Sequence, residues 1–215
     1  MKTLLIDLDG TLSDSRAGIE ACFRHTLASL GHDPATAGDL AWAVGPPIAV
    51  SLARLLEPFG DDRVNEALTI YREQYSTTGI YDCAVYPGAV AMLDALRERG
   101  VIMCIATSKR VDFAERVMEF LGLRAHVRAV YGAVPSGALD RKQDLLAHIL
   151  SAEGFAASDC VMLGDRMHDI EAAKANTMRS IGALWGYGGL TELEAAGADD
   201  IVSRPEDVVP LVAPA

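Results

Sequence analysis

Short apolar runs alternate along the chain with longer stretches in which apolar residues recur every three or four positions. The runs Thr3–Leu8, Val101–Ala106, Val127–Tyr131, Cys160–Leu163 and Ser180–Ala183 read as buried strands, with a weaker one at Asp200–Val202. Between them, Val90, Leu93 and Leu96 share a helical face ahead of Gly100. Phe113, Val117 and Leu121 do the same ahead of Gly122, and Leu145, Leu146, Ile149 and Leu150 ahead of Gly154. Glycine just past the last periodic residue is a helix stop. Strand–helix alternation from residue 85 onward predicts an α/β fold with a doubly wound parallel sheet.

Residues 15–80 break this rhythm. They carry helical patterns only: Ile19, Phe23, Leu27 and Leu30 before Gly31, then about 48–57 behind Pro46-Pro47, then 62–77 behind Asp61-Asp62. The pattern predicts an α/β core of residues 1–14 and 82–215, with a small α-helical domain of residues 15–81 inserted after the first strand. Loops at the carboxyl edge of such a sheet lie over its ligand crevice, so the insertion is expected to act as a cap.

Composition narrows the partners. The 215 residues include 19 Lys plus Arg against 30 Asp plus Glu, a net charge of -11, with 50% hydrophobic residues and 23% charged. That balance is of a globular protein and excludes disorder. An acidic chain without a basic cluster excludes nucleic acid polymers and anionic membrane as expected partners. A small phosphorylated metabolite stays open, provided a local feature reverses the sign of the field. Cys22, Cys83, Cys104 and Cys160 have no zinc spacing and no disulfide framework, and Cys104 and Cys160 read as buried thiols. The run Leu4-Leu5-Ile6 is too short for a signal peptide, and the uncharged stretch 40–53 is broken by Gly45-Pro46-Pro47. A reduced, cytoplasmic protein, monomer or homodimer, is the simplest expectation.

Chemistry gathers at the strand ends. Asp7 and Asp9 bracket the end of the first run, and side chains at i and i+2 of a strand point to one side, so both converge at its tip. Gly10 permits a sharp turn there. Adjacent carboxylates repel, and a hard cation such as Mg²⁺ relieves the repulsion. Asp165 follows Cys160–Leu163, and Asp169 stands one helical turn beyond it. Thr107 ends the Val101–Ala106 run, and Lys142 opens the Leu145/Ile149 helix with a flexible ammonium. Singly these residues are equally a strand-end turn, helix caps and a solvated charge. Together they fall at the carboxyl ends of parallel strands, where a doubly wound sheet places its ligand.

The motifs Asp7-Leu8-Asp9-Gly10-Thr11-Leu12, Ala106-Thr107-Ser108-Lys109, Lys142 and Gly164-Asp165-Arg166-Met167-His168-Asp169 resemble, in order and over nearly the whole chain, the haloacid dehalogenase superfamily. Within it the chain is similar to the phosphoglycolate phosphatase group with a helical cap. Val44-Gly45-Pro46-Pro47 and Trp185-Gly186-Tyr187-Gly188 look most like the branch described as 5′-nucleotidase-like. The resemblance implies a Mg²⁺-dependent phosphatase. Asp7 would be the nucleophile that becomes an aspartyl-phosphate, and Asp9 the acid and then base. Thr107 with Ser108 would bind the phosphoryl group, and Lys142 would balance charge. Mg²⁺ would be held by Asp7, the Asp9 backbone carbonyl and Asp165, with Asp169 either ligating it directly or supporting the ligands from behind. Arg141 is the rival for the role given to Lys142.

Asp9 argues against halide removal, since members that perform it lack that second acid. The absence of lysine from residues 15–80 argues against phosphonate cleavage through a cap Schiff base. A nucleoside 5′-monophosphate phosphatase is the alternative to phosphoglycolate hydrolysis. A sugar phosphomutase and a non-catalytic phospho-receiver stand further off, the latter because receivers carry no helical insertion after the first strand. Trp42 and the arginines Arg16, Arg24, Arg54, Arg63 and Arg72 are what the insertion offers a substrate.

Overall fold

A computed structural model describes residues 2–214. The chain divides into two compact units, one containing the residues up to Asp14 and those from Val85 onward, the other Ser15–Ala84.

The first unit is built on a six-stranded sheet. Its strands are β1 (Thr3–Ile6), β4 (Ile102–Arg110), β5 (Ala129–Ala133), β6 (Cys160–Gly164), β7 (Arg179–Ala183) and β8 (Asp200–Val202). Two short strands, β2 (Ser13–Asp14) and β3 (Ala84–Val85), lie where the chain leaves this unit and where it returns. The order across the sheet is β5-β4-β1-β6-β7-β8, and every neighbouring pair is parallel. The parallel sheet needs crossover helices, which the chain supplies as α4 (Ala89–Glu98), α5 (Val111–Phe120), α6 (Lys142–Glu153), α7 (Met167–Ala175) and α8 (Leu190–Ala196), with α9 (Val208–Val212) at the end.

Leu4, Leu5 and Ile6 are fully buried, so β1 is covered on both faces, which is why its apolar run is continuous rather than alternating. On one face Leu5, Cys104, Ala106 and Met162 pack with Leu145, Leu146 and Ile149 of α6 and Ala172 and Ala173 of α7. β1 is flanked by β4 on one side and β6 on the other, with Ile6 level with both Ile105 and Leu163. The chain winds outward in opposite directions from this strand, so the carboxyl end of β1 is the topological switch point.

The second unit holds α1 (Arg16–Ser29), α2 (Ile48–Leu56) and α3 (Val64–Thr77). Ile19, Phe23 and Leu27 of α1 meet Ala67, Tyr71 and Tyr75 of α3 among its buried side chains, with the Phe23 and Tyr71 rings 5.0 Å apart. Gly18 and Gly79 allow the backbone of α1 to approach the turn after α3, where a Cβ on either would strike its neighbours. Asp61 organises the loop before α3. It accepts from the Arg63 guanidinium at 2.7 and 3.0 Å and lies 2.6 Å from His32 Nε2, while Arg63 also donates to the Leu30 carbonyl at 2.9 Å. Those bonds, the Arg63 one foremost and the His32 one after it, hold the Asp61 carboxyl well below the usual range.

Several boundaries differ from the sequence pattern. The first strand stops at Ile6, because Leu8 already accepts the turn hydrogen bonds from Thr11, Leu12 and Ser13. The second run does not stop at Ala106 but continues to Arg110, with its pairing to β5 shifted between Ala106 and Arg110. Val90 is 41% exposed, and the buried face of α4 is Ala89, Met92, Leu93 and Leu96. All four cysteines are free thiols, and burial pushes the Cys104 thiol up to about 11. Among the described residues no helix is long and apolar enough to cross a membrane.

Candidate active site

Asp7 is the first residue past β1, its N–H donating to the Leu163 carbonyl of β6 at 2.9 Å. From that register, Gly164 and Asp165 stand beside it on one side, and Ala106 and Thr107 on the other. Gly10, at φ 90°, turns the chain back so that its N–H reaches the Ser13 carbonyl at 2.8 Å. A Cβ there would be driven into the Asp165 carboxylate, so the position admits only glycine on both counts.

Three carboxylates converge at this switch point. Asp7, Asp165 and Asp169 are all buried, and one oxygen from each lies within 4.8 Å of the others. Asp169 stands in the first turn of α7, where its Oδ2 accepts from the Arg166 N–H at 3.2 Å. Asp165 is held by the Tyr187 N–H on Oδ2 at 2.8 Å and by the Thr11 hydroxyl on Oδ1 at 3.4 Å. Lys142, the first residue of α6, reaches into the group. Its Nζ is 2.7 Å from Asp7 Oδ1 and 2.8 Å from Asp169 Oδ1. Arg141, the rival, points away: its side chain is exposed and lies 3.8 Å from Asp144.

The electrostatics follow from burial. Desolvation raises the Asp7 carboxyl to about 6, against the pull of Lys142 and with the push of Asp169 and Asp9. Asp165 is raised well above its ordinary value by burial first, then by Asp169 and Asp7. Burial alone would lower the Lys142 ammonium, but Asp169 and Asp7 more than reverse this, so it is held charged above its ordinary value. Three carboxylates against one ammonium leave a formal charge of -2 in a buried, all-oxygen donor set. That set fits a hard divalent cation such as Mg²⁺.

Asp9 stands outside that trio. Its Oδ2 is 2.8 Å from Lys109 Nζ, and both side chains are nearly buried. Lys109 is the residue to which the sequence pattern attached no role. It lies in the stretch where β4 loses regular register with β5, and its N–H donates to Thr107 Oγ1 at 3.2 Å. Thr107 is buried at the strand tip as expected. Ser108 is half-buried, and among the described residues its hydroxyl makes no hydrogen bond to the carboxylates. The structure therefore gathers Asp7, Asp165, Asp169 and Lys142 directly, adds Lys109 through Asp9, and leaves Ser108 aside.

The profile of the haloacid dehalogenase-like hydrolases matches residues 4–183, the span that carries all of these groups. The chain belongs to that family. A 5′-nucleotidase of Pseudomonas aeruginosa is 39% identical over 194 residues, covering 89% of this hydrolase and 86% of the relative. A phosphoglycolate phosphatase of Aquifex aeolicus is 26% identical over 212 residues, 99% and 97% of the two chains. The tyrosine-protein kinase PtkA of Mycobacterium tuberculosis is 37% identical over 186 residues, 86% of this chain but 62% of that protein's length. Its solved structure superposes with a TM-score of 0.81 at 32% identity, covering 98% and 97% of the chains. This family member is a phosphoric monoester hydrolase.

Proposed function

We propose that this hydrolase cleaves a small phosphomonoester in a Mg²⁺-dependent reaction that passes through an aspartyl-phosphate on Asp7. The observation that carries the reading is Lys142 Nζ between Asp7 and Asp169, at 2.7 and 2.8 Å, beside a third buried carboxylate. A phosphate dianion repels a carboxylate nucleophile, so attack needs positive charge already in place. Asp7, Asp165, Asp169 and the Asp9 backbone carbonyl would hold Mg²⁺, which when bound would supply part of that charge.

This chain's own groups do the rest. Lys142 fixes one oxygen of Asp7 and balances its charge. An Asp7 carboxylate oxygen bonds to phosphorus, and the ester P–O bond breaks with its electron pair going to the leaving oxygen. Asp9 gives that oxygen its proton. Water then bonds to phosphorus, its proton passes to Asp9, and the Asp7–phosphorus bond breaks to release inorganic phosphate. Thr107 donates its hydroxyl to a phosphoryl oxygen. The helical unit Ser15–Ala84 is the part of the chain assigned to the leaving group, in the manner of a cap. The partner is a small phosphorylated metabolite in a reducing, cytoplasmic setting.

Phosphoglycolate is the substrate carried by the motif resemblance. Nucleoside 5′-monophosphates are the second reading, favoured by the 39% identity to a 5′-nucleotidase over most of both chains. A panel of phosphoglycolate, nucleoside 5′-monophosphates and sugar phosphates, with and without chelator and beside Asp7→Asn, tests both levels. Activity that survives chelation or that substitution overturns the mechanism, and the preferred substrate decides between the two readings.

A further inference from the structure

The loop Trp185-Gly186-Tyr187-Gly188 follows β7 and has no part in the chemistry above. Its main chain is wedged between two loops of the site. A Cβ on Gly186 would strike the Asp165 Cβ and the Gly10 carbonyl, and one on Gly188 would strike the Asp165 carbonyl. Two hydrogen bonds then leave the loop from one residue. The Tyr187 N–H donates to Asp165 Oδ2 at 2.8 Å, and the Tyr187 hydroxyl donates to Asp14 Oδ1 at 2.9 Å. The Tyr187 hydroxyl is also hydrogen-bonded to that of Tyr86. Beside these, Trp185 Nε1 donates to the Thr11 carbonyl at 2.9 Å and the Tyr86 N–H to the Leu12 carbonyl at 3.0 Å.

The chain positions give this cluster its meaning. Asp14 is the last residue before the helical unit, and Tyr86 is the second residue after the chain returns from it. We propose that Tyr187 is a positioning residue for substrate binding, tying both linkers of the helical insertion to the loop that orients Asp165. The proposal rests on the functional reading above, in which the helical unit recognises the leaving group. Asp14 is exposed, and a hydrogen bond between surface groups adds little to global stability. Its loss is therefore read in substrate affinity rather than in the melting temperature.

Tyr187→Phe removes the hydroxyl and keeps the N–H on Asp165. The expected result is a KM about tenfold higher for the best panel substrate, with kcat and the Mg²⁺ half-saturation changed by less than about twofold. Amide hydrogen exchange in residues 11–14 and 84–87 accelerates in the same variant. Asp14→Ala shifts KM in the same direction, and the double variant goes no further than Tyr187→Phe alone, because the Asp14 bond is one of those the hydroxyl makes. An unchanged KM, an equal fall in kcat and Mg²⁺ affinity, or additive single effects overturns the proposal. Should the wild-type chain hydrolyse nothing on the panel, the functional reading fails on its own. The exchange measurement still decides the tie: unaltered linker exchange in Tyr187→Phe overturns it.

Discussion

Lys109 Nζ lies 2.8 Å from Asp9 Oδ2, and the pair is nearly closed to solvent. The site thus holds two lysines, and in the proposed mechanism one fixes the nucleophile and the other the acid. An ion pair this close sets the direction of the Asp9 carboxylate, and misplacing a proton donor by about 1 Å costs on the order of a hundredfold in rate. Lys109→Met is expected to lower kcat by about ten- to a hundredfold, and Lys109→Arg to recover part of it. Steady-state rates on the preferred substrate check this, and an unchanged kcat in Lys109→Met shows the pair to be idle.

Asp7→Asn is expected to lower kcat by about a thousandfold or more, because a carboxamide forms no acyl-phosphate. The same substitution has a stability signature. Burial raises the Asp7 carboxyl from 3.8 to about 6 in the metal-free chain. A carboxyl raised on folding binds its proton more tightly in the native state, so the wild type loses stability as pH climbs from about 4 through 6. Melting temperatures in chelator across that window are expected to fall more steeply for the wild type than for Asp7→Asn.

The uncompensated charge of the trio predicts a metal response that needs no turnover. Mg²⁺ at about a hundredfold above its dissociation constant stabilises the native state by about 2.7 kcal/mol. A rise of several degrees in melting temperature is therefore expected, absent in chelator and strongly reduced in Asp165→Asn. A melting curve indifferent to Mg²⁺ argues against the metal assignment.

Gly186→Ala tests the packing of the loops. The added methyl would strike the Asp165 Cβ and Oδ2 and the Gly10 carbonyl. Overpacking of this kind costs about 1–3 kcal/mol. The variant is expected to melt lower and to lose Mg²⁺ affinity, since the atoms that yield carry Asp165. Isothermal titration with Mg²⁺ separates that outcome from a purely global loss of stability.

In the helical unit, Asp61→Asn is expected to lower the melting temperature at neutral pH. Arg63 and His32 hold the Asp61 carboxyl below its ordinary value, so its contribution is present above about pH 4 and is lost as pH falls further. The gap between wild type and variant should close on acidification. A gap that does not narrow between about pH 5 and pH 2 would assign the effect to shape rather than charge.

Much of the core could be read from the chain, because the central strands are apolar runs, and those of β1 and β6 lead directly into Asp7 and Asp165. Asp7 and Asp165 are legible in that way, and Lys142 as the first residue of an apolar-periodic helix. The choice of Lys142 over Arg141 followed from helical spacing, and the exposed Arg141 agrees with it. Lys109 escaped because its place depends on the register shift between Ala106 and Arg110, and hydrophobicity carries no trace of where a ladder slips. Val90 differs for the opposite reason: its spacing places it on a face with Leu93 and Leu96, whereas Ala89 and Met92 already fill the buried side of that helix. The insertion's arginines looked available for substrate. Arg16 is instead bound to Glu20 and Asp39, Arg24 to the Pro34 and Gly38 carbonyls, and Arg63 to Asp61, while Arg54 stacks on Trp42 at 4.1 Å. Those partners are set by three-dimensional proximity, which spacing alone does not reveal.

The central place of β1 bears on how the protein is made. Thr3–Ile6 is synthesised ahead of both of its hydrogen-bonding neighbours, Ile102–Ile105 and Cys160–Leu163. Until Cys160–Leu163 has been synthesised, one edge of this buried strand has no partner. Late, distant pairing of this kind slows folding and exposes a sticky edge meanwhile. Nascent chains arrested before β6 should therefore recruit holdase chaperones, and those extended beyond it should let them go.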